Sequence, residues 1–213
     1  MNRILLICLS ALVTAAASAA APNDAGWPAY GGDAGGMRYS PLSQINATNV
    51  DGLRVAWIFR TGELGKGVKD WDRSAFEATP ILYAGVLYFT TPSTNVLAVD
   101  AASGNLRWRH DSHNRNDLHY SDGVSRGVSL WVDETTPASA VCHARIYAPT
   151  LDSRLLALDA ATGKSCEDFG EQGEINLLKD VHSVDEPDSE WRNYLVTSPP
   201  AIQIGRASCR VRV

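Results

Sequence analysis

The sequence predicts an all-β fold assembled from repeated four-stranded units, and three observations predict it. Short apolar runs are separated by turns rich in Gly, Pro, Asn and Asp, with no long stretch of helical periodicity. Sliding the chain along itself by 59 residues brings Ala98-Val-Asp-Ala-Ala-Ser-Gly104 onto Ala157-Leu-Asp-Ala-Ala-Thr-Gly163. The composition, 45% hydrophobic and 20% charged with 17 Gly and 10 Pro in 213 residues, is that of an ordinary globular protein.

Taken in order, the chain opens on a secretory signal over residues 1–21. Arg3 forms a short basic region, Ile4 to Val13 an apolar run, and Ala17-Ser18-Ala19 a small-x-small cleavage site. The run is too short to span a bilayer comfortably; an uncleaved anchor is the alternative. Strand patterns follow at Leu53 to Arg60, Pro80 to Tyr83, Val86 to Thr91 and Val96 to Asp100, split by Ala84-Gly85 and by Pro92 to Asn95. The repeated Ala-x-Asp-x-x-x-Gly segment reads as the turn between the outer strands of a four-stranded blade. Its Asp accepts from backbone donors and its Gly supplies positive φ.

Trp108, just beyond the first copy, is placed to pack between neighbouring blades. Glu167 takes the matching place in the second copy, where Phe169 or a Cys142–Cys166 bridge is expected to fill the role. A looser echo relates Thr79-Pro80-Ile81-Leu82 to Pro199-Pro200-Ala201-Ile202, about two periods later. Two unrelated hairpins with common turn chemistry are the plainer alternative.

His110, His113 and His119 with Asp111 and Asp117 read as a polar loop rather than a metal cluster, since no companion ligand motif accompanies them. Asp180 to Glu190 reads as a solvated acidic connection. Gly31-Gly32 and Gly35-Gly36 lack the strand-to-helix context of a dinucleotide site. Residues 204–213 change to three Arg and no acid, and look like translated sequencing adapter except at Val211; a basic C-terminal strand is the alternative.

Setting both ends aside removes Arg3, Arg206, Arg210 and Arg212 from 19 positive residues, leaving 15 against 24 acids, a net charge of −9. Such a chain has no basic footprint for phosphates, which excludes nucleic acid as an expected partner. Of four cysteines, Cys8 lies in the leader and Cys209 in the tail. Cys142 and Cys166 remain, and in an exported, oxidising setting they are expected to form a disulfide. Metal ligation or a reactive thiol is the alternative, without a second ligand at zinc-like spacing.

Several motifs in order carry a family resemblance. Trp27-Pro-Ala-Tyr-Gly-Gly-Asp33, Arg38-Tyr-Ser-Pro-Leu42, Gln44-Ile45-Asn46, Phe76-Glu-Ala-Thr-Pro80 and the Ala98 to Trp108 turn resemble the N-terminal part of periplasmic quinoprotein dehydrogenases, which use pyrroloquinoline quinone (PQQ). Arg126-Gly-Val-Ser129, Cys142 to Pro149, Asp152 to Leu158 and Gly163-Lys-Ser-Cys166 resemble the glucose, polyol and quinate branch. The resemblance runs from Trp27 to Ile202.

It implies an eight-bladed β-propeller, here truncated to an N-terminal strand region, about two blades and the start of a third. The implied activity is oxidation of a sugar, polyol or alcohol hydroxyl. Electrons would pass to a respiratory acceptor such as ubiquinone or cytochrome c, in the periplasm or at the inner-membrane surface. Glu77, Arg126 and, more loosely, Thr197 match positions that contact the quinone. Arg126 suits a cofactor carboxylate through paired hydrogen bonds; Glu77 would accept from the cofactor edge or be oriented by Arg126. The residues alone leave open a surface salt bridge for Arg126 and a strand-end turn acid for Glu77.

The family's calcium ligands and catalytic Asp fall beyond this chain, so no base is nominated here. The alcohol branch often carries adjacent cysteines where Tyr120-Ser121 stand, which favours the sugar and polyol branch over an alcohol dehydrogenase. A cofactor-free propeller scaffold for envelope assembly is the alternative from another class. Glu77 and Arg126 discriminate between them, since a scaffold has no reason to place charges on inner strands.

Overall fold

In a computed structural model of the chain, the described residues are 26–63, 74–115, 118–120, 123–179, 191–192, 194–203 and 206–208. The expected leader over 1–21, Asp117, the acidic run 180–190 and most of the basic tail lie outside them. Strand β1 (Ser74–Phe76) precedes an antiparallel meander of β2 (Ile81–Tyr83), β3 (Val86–Thr90), β4 (Val96–Asp100) and β5 (Leu106–His110). Short strands β6 (His119–Tyr120) and β7 (Gly123–Ser125) lead into a second meander of β8 (Ser129–Val132), β9 (Ala144–Pro149), β10 (Arg154–Asp159) and β11 (Glu174–Asn176). After β12 (Trp191–Arg192), β13 (Ala201–Gln203) opens a third unit and pairs antiparallel with β14 (Arg206–Ser208), which lies in the tail whose sequence looks like adapter.

The two meanders explain the continuous apolar runs, because each sheet is buried on both faces. Along β3 and β4, Val86, Tyr88, Val96 and Ala98 point into the joint between the sheets, where they meet Ile146, Ala148, Leu156 and Leu158. Their neighbours Leu87, Phe89, Leu97 and Val99 point the other way and gather Trp57 and Phe59. On the far side of the second sheet, Tyr147, Leu155 and Ala157 pack with Cys142, Cys166 and Phe169. Stacked four-stranded meanders with one shared apolar joint are successive blades of a β-propeller.

Turn chemistry joins the blades. Ala84 and Gly85 both take positive φ in the tight β2–β3 hairpin. In the two copies of the repeat, Asp100 accepts from the Ser103 N–H at 2.9 Å and Asp159 from the Thr162 N–H at 2.8 Å. Trp108 of the first blade lies over the turn of the second: its Nε1 donates to the Ala160 carbonyl at 2.9 Å. A Cβ on Gly163 would stand 2.5 Å from the Trp108 ring. Trp57 does the same one blade earlier, donating to the Ala101 carbonyl at 3.1 Å, with Gly104 beneath its ring.

The segment Leu53 to Arg60, expected as a strand, has no ladder partner among the described residues; Trp57 and Phe59 anchor it through side chains instead. The expected histidine loop is also corrected. His110 ends β5 and His119 begins β6, both fixed in ladders, while His113 lies in the loop between them. Among the described residues no group of three metal-ligating side chains comes together. Cys142 and Cys166 are bridged, with Cα atoms 5.9 Å apart, and Phe169 meets Tyr147 edge to face at 5.2 Å beside them. Both features named for the second copy therefore fill one cluster.

Candidate functional site

Three short segments, each entering the first strand of a blade, meet at one place. Parallel pairing of β1 with β7 sets Phe76 opposite Ser125, so Glu77 and Arg126 leave the pair side by side. The Thr79 N–H donates to the Arg126 carbonyl at 3.1 Å, and the Arg126 N–H donates to the Thr197 carbonyl at 2.8 Å. This row of backbone bonds brings the entries to β2, β8 and β13 side by side. Gly127 is required by the approach: its φ is +123°, and a Cβ there would lie 2.9 Å from the Thr79 carbonyl oxygen.

The side chains follow. Arg126 Nη2 lies 3.1 Å from Glu77 Oε2, and Arg126 Nη1 donates to Thr197 Oγ1 at 2.7 Å. All three residues singled out in the sequence are thus one cluster, although 49 and 71 positions separate them from one another. Glu77 pairs with Arg126 while both side chains stay part-exposed, a geometry shared by an oriented carboxylate and by the surface salt bridge named above. Arg126 remains about one-third exposed, and a guanidinium has five N–H donors, so the fork can engage a further acceptor while held by its two partners.

A layer that sequence reasoning missed lies directly behind. Thr90 Oγ1 and Ser125 Oγ share a hydrogen bond of 2.7 Å, both fully buried. Ser153 Oγ donates to the Tyr194 carbonyl at 2.7 Å, three residues before Thr197. The turns after β3 and β9 are close copies. Thr91 Oγ1 accepts from the Asn95 N–H at 3.1 Å, and Thr150 Oγ1 accepts from the Arg154 N–H at 2.9 Å. Around the first turn, Glu63 is buried and accepts from Asn95 Nδ2 at 2.8 Å and Arg109 Nη2 at 3.0 Å. The 59-residue repeat extends to Thr91 and Thr150, a signal present in the sequence but hidden by the different residues between.

The fold and site define a stack of propeller blades that offers an arginine, a hydroxyl and a carboxylate side by side from three successive blade entries. Residues 27–207 match the family described as the glucose/ethanol/alcohol dehydrogenase β-propeller domain of PQQ enzymes, and the chain belongs to that family. It is 39% identical over 198 residues to the quinoprotein glucose dehydrogenase of Escherichia coli K12, covering 91% of this chain and 24% of that protein. It is 38% identical to the glycerol dehydrogenase large subunit of Gluconobacter oxydans, covering 75% of this chain and 21% of that one.

Among solved structures, quinohemoprotein alcohol dehydrogenase from Comamonas testosteroni superimposes with a TM-score of 0.64 at 30% identity, covering 86% of this chain and 22% of that chain. A europium-containing methanol dehydrogenase shares the fold with a TM-score of 0.65 at 22% identity, covering 90% and 28%. The chain spans about a quarter of the length of the curated relatives it matches.

The donor set fits the cofactor that the family implies. A tricarboxylate quinone presents carboxylates, and a part-exposed guanidinium is a planar fork of the right chemistry to pair with one. Glu77 is charge-paired with Arg126 through Oε2. Thr197 places a hydroxyl beside the same fork.

Proposed function

We propose that this segment is the cofactor-clamping part of an exported, periplasmic PQQ-dependent dehydrogenase that oxidises a sugar, polyol or related hydroxyl and passes the electrons to a respiratory acceptor. One observation carries the reading: Glu77, Arg126 and Thr197, drawn from three successive blade entries, form a single hydrogen-bonded cluster. The similarity to quinoprotein glucose and glycerol dehydrogenases supports the choice of substrate class. PQQ, when bound, supplies the two-electron acceptor, and a calcium ion held by residues outside this segment belongs to the same proposal.

The residues of this chain bind and orient. Arg126 grips a carboxylate of the cofactor. Glu77 fixes the Arg126 guanidinium from one side and neutralises part of its charge, so the fork keeps one direction. Thr197 holds the other nitrogen and completes the frame. Because backbone bonds link the three segments, a shift at one blade entry moves the others.

The test is titration of the metal-loaded apo-protein with PQQ. Removing a charge-assisted bond to a carboxylate costs about 1.5–3 kcal/mol, so Arg126→Ala should weaken binding by about 10- to 100-fold. Equal affinity for wild type and variant would overturn the assignment. Dye reduction with glucose, glycerol and ethanol as alternative substrates then checks the substrate class.

A further inference from the structure

We propose that Thr90 is a positioning residue for Arg126, acting through the hydroxyl of Ser125. The inference rests on the reading of Arg126 as the cofactor clamp and adds a layer beneath it. Arg126 is joined by its backbone to Thr79 on one side and Thr197 on the other. Ser125, one residue back, is also paired with Phe76 in the β1–β7 ladder, so these backbone ties all join one blade entry to the next. Ser125 is the residue next to Arg126, and its side chain reaches back to the end of β3 in the middle of the first blade, meeting Thr90 Oγ1 at 2.7 Å. Thr90 is 0% exposed and Ser125 1%, so water cannot replace either partner.

The repeat shows that the propeller itself does not require this pair. The residue 59 positions after Thr90 is Pro149, which ends β9 as Thr90 ends β3. The residue before Thr197, in the place Ser125 has before Arg126, is Val196, also 0% exposed. The next blade therefore carries apolar residues at both corresponding places. Burying two hydroxyls where apolar side chains serve the fold is a cost met only by pairing them. The pair occurs behind the arginine and not behind the threonine. A guanidinium fork gains from a backbone held to a fraction of an ångström, whereas a rotatable hydroxyl does not.

The experiment uses the full protein that carries this segment, titrated as apo-protein with PQQ, with thermal melting of each variant alongside. Thr90→Val removes the bond with little change in shape, and should raise the dissociation constant about three- to tenfold. Thr90→Ser, which keeps a hydroxyl, should stay within about twofold of wild type by the same reasoning. Thr90→Val with Ser125→Ala removes both polar groups, which restores stability lost to an unpaired hydroxyl while leaving the affinity defect.

The decisive arm is the cycle with Arg126→Ala, in which Thr90→Val should have no further effect on affinity. Unchanged affinity in Thr90→Val, or the same loss in the Arg126→Ala background, overturns the inference while the clamp reading stands. Failure of wild type to bind PQQ overturns both.

Discussion

His110 ends β5 with its Nδ1 2.9 Å from the Gly163 carbonyl, inside the joint between the two blades. Burial lowers its affinity for a proton below the ordinary imidazole value of 6.5, against the opposing pull of that carbonyl. The folded ring is thus harder to charge than the unfolded one. Between 6.5 and the lower folded value the unfolded state binds more protons, so stability is present above pH 6.5 and falls as the pH drops through that window. Melting of the full protein that carries this segment, followed from pH 7.5 downward, should show this loss, and His110→Gln should flatten it. The aspartates act lower. Arg107 and Ser103 hold Asp100, Thr135 holds Asp133, and Arg145 holds Asp168 below the ordinary value of 3.8. Their contributions are present above 3.8 and lost only below it, a lower window than that of His110. An unchanged slope in His110→Gln would show that the joint tolerates the charged ring.

At the scale of the element, an indole seated on a glycine turn recurs, Trp108 on Gly163 between the two blades and Trp57 of the N-terminal arm on Gly104. Gly163 holds φ at +71°, and its missing Cβ is the space that the Trp108 ring fills. Gly163→Ala combines a left-handed backbone with an overpacked ring, and should destabilise by about 2–4 kcal/mol in denaturant unfolding. A substitution at Gly85, where nothing lies within 4 Å, meets only the backbone term and serves as the comparison. Equal losses at the two glycines would remove Trp108 from the account.

The turn and its tryptophan were legible from the sequence because Asp, Gly and Trp keep fixed spacing within a copy. Trp57 was not, because it lies 51 rather than 59 residues before Trp108 and precedes the first copy. The parallel pairs β1–β7 and β6–β12 were equally hidden. They are three and two residues long and join segments far apart in the chain, so no periodicity reports them. Glu77, Arg126 and Thr197 were found by motif resemblance; nothing in their spacing says that they touch. Thr90 and Ser125 had no signal of their own, since a buried hydroxyl reads in sequence as an ordinary strand residue.

For the whole molecule, the blades depend on neighbours. The first sheet packs Leu87, Phe89, Leu97 and Val99 against Phe76, Ala78 and a segment carrying Trp57 and Phe59, while Val55 and Ile58 of that segment face solvent. Tyr39, Ile45 and Leu53 of the same N-terminal arm are exposed as well. At the other end of the stack, β13 opens a unit and is paired among the described residues with β14 of the tail. A stacked-blade architecture stabilises each sheet mainly through the next, and an uncovered face leaves apolar surface and open edges in water. The 213-residue chain produced alone should therefore self-associate, visible as species larger than a monomer in light scattering and as dye binding to exposed apolar surface. Carrying only the proposed clamp among described residues with no group of three metal-ligating side chains, it should reduce no dye when PQQ, calcium and glucose are added. A monomer that melts in one cooperative step and turns over glucose would show that these blades need no further neighbours.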